Sequence, residues 1–279
     1  MINKYIGELF KFIKRRLFTV IVGLLLVVYA LSFFIKLSLP EMSKLPPSAI
    51  KELVFSNLYF TVLDTSVTPL LTSSFVIICS MIGIEYNANT FKTIAIRGTS
   101  KLDFINTKIL AVLTFTTIFL MIGAFIFTIL AIINQTKILG PANAEMPVAQ
   151  FNPVFVIVIF FVFIISILPY LGLGLFLTLL TKSSGASIAL GFVYVAFVEN
   201  FLHFLISYLS TKFDLWILET SKFLLGSQIR AINEALLLAN HSETEYLSLI
   251  YKPLLISVAY ALILYFSSIL LMKKRDILN

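Results

Sequence analysis

The chain is a succession of long apolar runs separated by polar joints. Six runs approach or exceed the length of about 17–25 residues that a helix needs to cross a bilayer. They are Leu17–Leu37, Val67–Ile84, Ile109–Ile133, Val154–Leu180, Ala186–Ile206 and Leu254–Met272. None alternates in the way a lipid-facing barrel strand must. Backbone polar groups in hydrocarbon have to bond within their own segment, so each run is expected to be a helix. The pattern predicts an all-α fold: a polytopic helical membrane protein with six transmembrane helices, forming a single transmembrane domain over residues 1–279. The first run is longer than the apolar core of a signal peptide, and no small-residue cleavage site follows it, so it is expected to be retained.

Ahead of that run, residues 4–16 place Tyr5, Ile6, Leu9, Phe10, Phe12 and Ile13 at helical spacing. Lys4, Lys11, Lys14 and Arg15 fall mostly on the other face. The arrangement predicts an amphipathic interfacial helix with its basic side at the inner headgroups of the membrane lipid; the alternative is a plain extension of the first span. Two further segments exceed what a turn requires. Residues 38–66 contain Pro40, Pro46 and Pro47. The outer segment 207–253 is amphipathic, rich in Leu and interrupted by Gly226, which suggests short helices on the outer leaflet or partly re-entering it. Pro169, with Gly172 and Gly174 close behind, is expected to kink the fourth span.

Charge settles the orientation. Only 13% of residues are charged, about half the share of a soluble domain. Of the 21 basic residues, 13 fall on the side that holds both ends of the chain, the joint after the second run and Lys182. The richer side is cytoplasmic, so both termini are expected inside. The net charge of +7 is therefore a topology signal, and no basic patch interleaved with aromatics points to nucleic acid. Cys79 is the single cysteine, which excludes an intrachain disulfide. His203 and His241 are too few for a structural zinc site, and the stretch His241–Glu245 reads as a solvated outer loop.

The joint spanning residues 85–108 is compact and of mixed charge: Glu85 and Asp103 against Lys92, Arg97, Lys101 and Lys108. Helical pattern continues from Ile84 to Arg97, with Glu85 early and Arg97 late, as the helix dipole favours. Gly98 is a stop signal. Ser100-Lys101-Leu102-Asp103 then fits a capping box just ahead of the third run. Two short helical pieces with a sharp break form a rigid cytoplasmic knob; a flexible linker would be richer in Gly, Ser and Pro.

On these residues the chain resembles the permease subunits of ABC-2 type transporters. An acidic residue closing the second span, a short helix, an Arg-x-x-Ser-Lys run, a nearby Phe and a Lys leading into the third span recur in that family. Glu85, Thr90, Phe91, Arg97, Gly98, Ser100, Lys101, Phe104 and Lys108 occupy the corresponding stretch, while Asn89 stands where glycine is common. The motif covers about 25 residues; the interfacial helix and six-span layout extend the likeness to the whole chain. The resemblance implies coupling of the 85–108 segment to cytoplasmic ABC ATPase subunits, with ATP and magnesium held there. It also implies a second permease subunit, identical or different, and leans toward export of a hydrophobic or amphipathic peptide, drug or lipid. No G-x-x-x-x-G-K-[ST] run is present, so ATP hydrolysis belongs to a partner. The absence of H-E-x-x-H and G-x-S-x-G argues against familiar hydrolases, and the chain is expected to be neither enzyme nor cofactor carrier.

Glu199 is the one carboxylate inside an apolar run, with Asn200 beside it and His203 one turn on. Ionisable groups in a span mark either a substrate path or a polar contact between helices. A contact is the favoured reading. Competing functional classes are a secondary transporter or channel, which would show several mid-membrane charges or paired interrupted helices, and a membrane-embedded sensory or assembly subunit.

Overall fold

The structure is a computed structural model that describes residues 2–37, 58–87, 100–139, 153–210, 221–238 and 243–274. Every element among these residues is helical.

Helix α1 (Ile2–Ile13) is separate from the first apolar helix, α2 (Arg16–Leu37). The chain turns at Lys14-Arg15, where the Arg15 N–H donates to the Phe12 carbonyl and the Phe18 N–H to the Arg15 carbonyl, both at 3.0 Å. The amphipathic helix is thus distinct from the span, with bounds at 2–13 in place of 4–16. Helix α3 (Leu58–Asn87) begins well before the second apolar run, and α4 (Lys101–Leu139) begins at Lys101 instead of Ile109. The start of α4 follows from the cap: Ser100 Oγ accepts the Asp103 N–H at 3.0 Å, which satisfies one of the first-turn donors that a helix leaves open.

Helix α5 (Pro153–Thr181) opens on a proline, where the missing N–H costs nothing, and it continues as one helix through Pro169. Lys182, at φ 57°, reverses the chain in the left-handed region. Ser183 then caps α6 (Ser184–Val193). A five-residue π turn, Tyr194–Val198, leads directly into α7 (Glu199–Ser210), so the fifth apolar run is one helical path with a wide turn in its middle. After a 3-10 turn at Ser221–Phe223 come α8 (Leu225–Leu238) and α9 (Glu243–Lys274). Gly226 lies in the first turn of α8, just after the break that separates the 3-10 turn from that helix.

Among the residues whose side chains are described, four helices are long and apolar enough to cross a membrane, through Pro69–Tyr86 of α3, Leu102–Ile126 of α4, Ile157–Thr181 of α5 and Glu245–Lys274 of α9. The first run is helical over 22 residues, Arg16–Leu37, whereas the uninterrupted α-helix of the fifth covers only Ser184–Val193. For the fifth, the π turn and Glu199 end the apolar stretch.

Helices α3 and α5 form the centre. Their spanning stretches are 67% and 61% buried, against 11% for α9, which leaves most of its surface outward. Helix α4 packs on α3, α9 on α5, and α6 on both central helices. Small residues set the closest approach, as expected where apolar helices gain from packing and not from water exclusion. A Cβ on Gly83 of α3 would lie 2.5 Å from the backbone nitrogen of Ser184, so the start of α6 rests directly on the α3 backbone.

Candidate functional site

The joint between α3 and α4 is rooted in a buried ion network. Lys108, two turns into α4, is fully buried. Its Nζ donates to Glu85 Oε1 at 2.8 Å and to Glu8 Oε2 at 2.7 Å. The other Glu8 oxygen accepts from Lys11 at 2.8 Å. Two carboxylates therefore meet two ammonium groups, one fully sealed and one largely exposed. Lys108 also lies 4.7 Å from the centre of the Phe104 ring, whose face attracts a cation. Such a cluster withstands burial only when each charge has a partner.

Local sequence explains how the three elements converge. Glu85 stands near the C-terminal end of α3, Lys108 faces it from α4, and Glu8 interrupts the basic character of α1. Aromatic and hydroxyl contacts hold α1 in place. Tyr5 and Thr114 share a hydroxyl bond of 2.7 Å, and Phe12 meets Phe18 and Phe115 edge-on at 5.1 and 5.7 Å. Helix α1 is thus clamped to α4 along one face.

Glu8 is the functional residue that sequence reasoning missed. A signal existed, since Glu8 is the sole acidic residue in the first 40 positions and sits three residues before Lys11. Burial pushes its carboxyl up, but the charge of Lys108, its hydrogen bond and the contributions of Lys11 outweigh that and hold it below the ordinary value of 4.5. A carboxyl depressed in the folded state contributes stability that is fully present above its unfolded value. That contribution is lost as pH falls through the folded value. Below about pH 4.5, the melting temperature of the purified protein should therefore fall more steeply for the wild type than for Glu8→Gln. Parallel curves for the two proteins in acid would remove this role from Glu8.

The structure brings Glu85, Phe104 and Lys108 together at the roots of the joint and places Ser100 as the cap of α4. Asn89, Thr90, Phe91, Arg97 and Gly98 lie outside the described residues, as does the side chain of Lys101. Lys108 and Glu85 are turned inward, so their contribution to the joint is to position it.

A second polar cluster lies far along the bundle. The start of α6 abuts Gly83, near the α3 end of the ion network. Glu199 follows 15 residues later along the same helical path, about 22 Å at 1.5 Å per residue. There Glu199 Oε1 accepts the Gly226 N–H at 2.9 Å, a carboxylate at the positive end of α8. Asn200 Oδ1 accepts from Arg230 at 3.1 Å, and the Tyr260 hydroxyl donates to the Phe223 carbonyl at 2.7 Å. Glu199 and Asn200 thus tie α7 to α8, while His203 takes no part in these bonds. Among the described residues no three His, Cys, Asp or Glu side chains gather as a metal would require. No family model matches this sequence, and neither a curated protein nor a solved structure matches it.

Proposed function

We propose that the chain is the membrane-embedded permease subunit of an ABC transporter of the ABC-2 type. In this reading six helical segments span the membrane, α2 and the α6–α7 path completing the set of four, with both termini in the cytoplasm. The segment between α3 and α4 docks on a separate ATPase, which holds ATP and magnesium, and a second permease subunit completes the pore. The cargo is hydrophobic or amphipathic and leaves the cell.

One observation supports this reading above the motif itself. The Lys108 network locks the end of α3, the start of α4 and helix α1 into one unit. A force applied to the segment between them would reach α3, which is central, and α4 at once instead of being absorbed at a loose joint. Coupling needs that stiffness, whereas a joint serving only topology does not.

The test reverses charge on the segment without touching the buried network. Arg97→Glu/Lys101→Glu should insert normally but bind its ATPase roughly tenfold more weakly, a loss of about 1.4 kcal/mol, because charge-assisted bonds from both cations would turn repulsive. Pull-down of the ATPase with the full-length chain reads the effect. A double variant that inserts, binds its ATPase and transports at the normal rate would leave the coupling role without support.

A further inference from the structure

We propose that the elbow between α1 and α2 is a binding site for the phosphate of an anionic phospholipid. The inference rests on the membrane location of the chain and not on the ATPase reading. Four cations crowd the elbow, but their situations differ. Lys11 is neutralised by Glu8, whose second oxygen is taken by Lys108. Among the described residues no carboxylate pairs with Lys14, Arg15 or Arg16. Three consecutive charges, uncompensated by any described carboxylate, therefore stand where the chain turns.

Arg15 makes the site more than a basic surface. Its Nη1 is buried with no hydrogen-bond partner, although the side chain as a whole is only half-buried. A guanidinium held in this way has lost part of its water without a protein acceptor in return, which is costly. An anion at the accessible edge offsets that under-solvated charge without reaching Nη1 itself, and the planar, forked N–H groups of the exposed part suit a phosphate.

The apolar surroundings select the source of that phosphate. Ile6, Phe10 and Ile13 on α1 are 56%, 58% and 46% exposed. Lys14 leans over the Phe10 ring, 4.3 Å from its centre, so cation and apolar face are adjacent. A dissolved phosphate would leave that face bare. A phospholipid covers it with acyl chain while its headgroup meets Lys14, Arg15 and Arg16. Helix α1 cannot rotate to hide the face, because its other side is fixed to α4 through Tyr5 and Phe12.

The experiment uses the delipidated full-length chain in neutral detergent, titrated with phosphatidylglycerol or phosphatidylcholine of identical acyl chains and read by native mass spectrometry. The wild type should prefer phosphatidylglycerol by roughly fivefold or more, the effect of one or more cations near an anionic headgroup. Arg15→Gln should bring the two lipids close to parity, and Arg15→Lys should keep a preference. Lys14→Gln/Arg16→Gln, which changes only exposed side chains, should also reduce it, whereas Lys274→Gln at the far end of α9 should not. Parity in the wild type, or a preference unchanged in both elbow variants, overturns the site. Displacement of phosphatidylglycerol by millimolar inorganic phosphate would show an anion site without lipid selectivity and would equally overturn it.

Discussion

Lys108→Met is expected to destabilise the folded protein by about 3–5 kcal/mol, the usual cost of removing one partner from a buried ion cluster. The methionine fills similar volume, so the loss comes from charge and not from a cavity. Glu85 and Glu8 would be left close together, the first with its main counter-charge gone and the second with only the exposed Lys11. Either carboxylate must then take up a proton or draw in water, and α1 loses its strongest tie to α3 and α4. The comparison that isolates the mechanism is Lys108→Met in a Glu8→Gln/Glu85→Gln background. Removing both negative charges should recover much of the lost stability, because an uncharged cluster carries little desolvation penalty. Melting temperature and yield in a single detergent measure both variants. A single variant as stable as the wild type, or a triple variant no better than the single, would show that the cluster is not what holds the joint.

The six apolar runs, the amphipathic first helix and the Ser100 cap could all be read in the sequence, because each depends on residues within a turn or two of one another. The boundaries could not. Hydropathy marks where a helix is greasy and not where it begins, so α4 extends back to Lys101 and α9 to Glu243 through polar but helix-compatible residues. The π turn at Tyr194–Val198 left no trace, since its side chains continue the apolar pattern on either side. The ion network was invisible for a different reason. Lys108 lies 100 positions from Glu8 and 23 from Glu85, and nothing local says which of several charges will be turned inward. Glu85 and Lys108 were picked out by motif resemblance, which identified the residues but not their bond. Gly226 marks a break in the pattern, but nothing local shows that it also leaves room for the Glu199 carboxylate.

That use gives the second large effect. Gly226→Ala should destabilise the protein by about 1–3 kcal/mol, as overpacking does in a closed contact. A Cβ there would collide with Glu199 Oε2 and push the carboxylate off the Gly226 N–H. Glu199→Ala should cost a similar amount by removing a hydrogen bond to a charged group, worth about 1.5–3 kcal/mol. Glu199→Gln keeps an acceptor oxygen and should cost less than either. Because both lesions act on one contact, they should not add. Once Glu199 is truncated, the methyl at position 226 has space, so Glu199→Ala/Gly226→Ala should be little worse than Glu199→Ala alone. The shortfall from additivity should reach about 1 kcal/mol or more, within the range seen for residues in direct contact. On the proposed permease function, and if the carboxylate only joins α7 to α8, transport by each variant should fall in proportion to the folded protein recovered. A Glu199→Gln protein that folds normally but no longer transports would instead place this carboxylate on the path of the cargo.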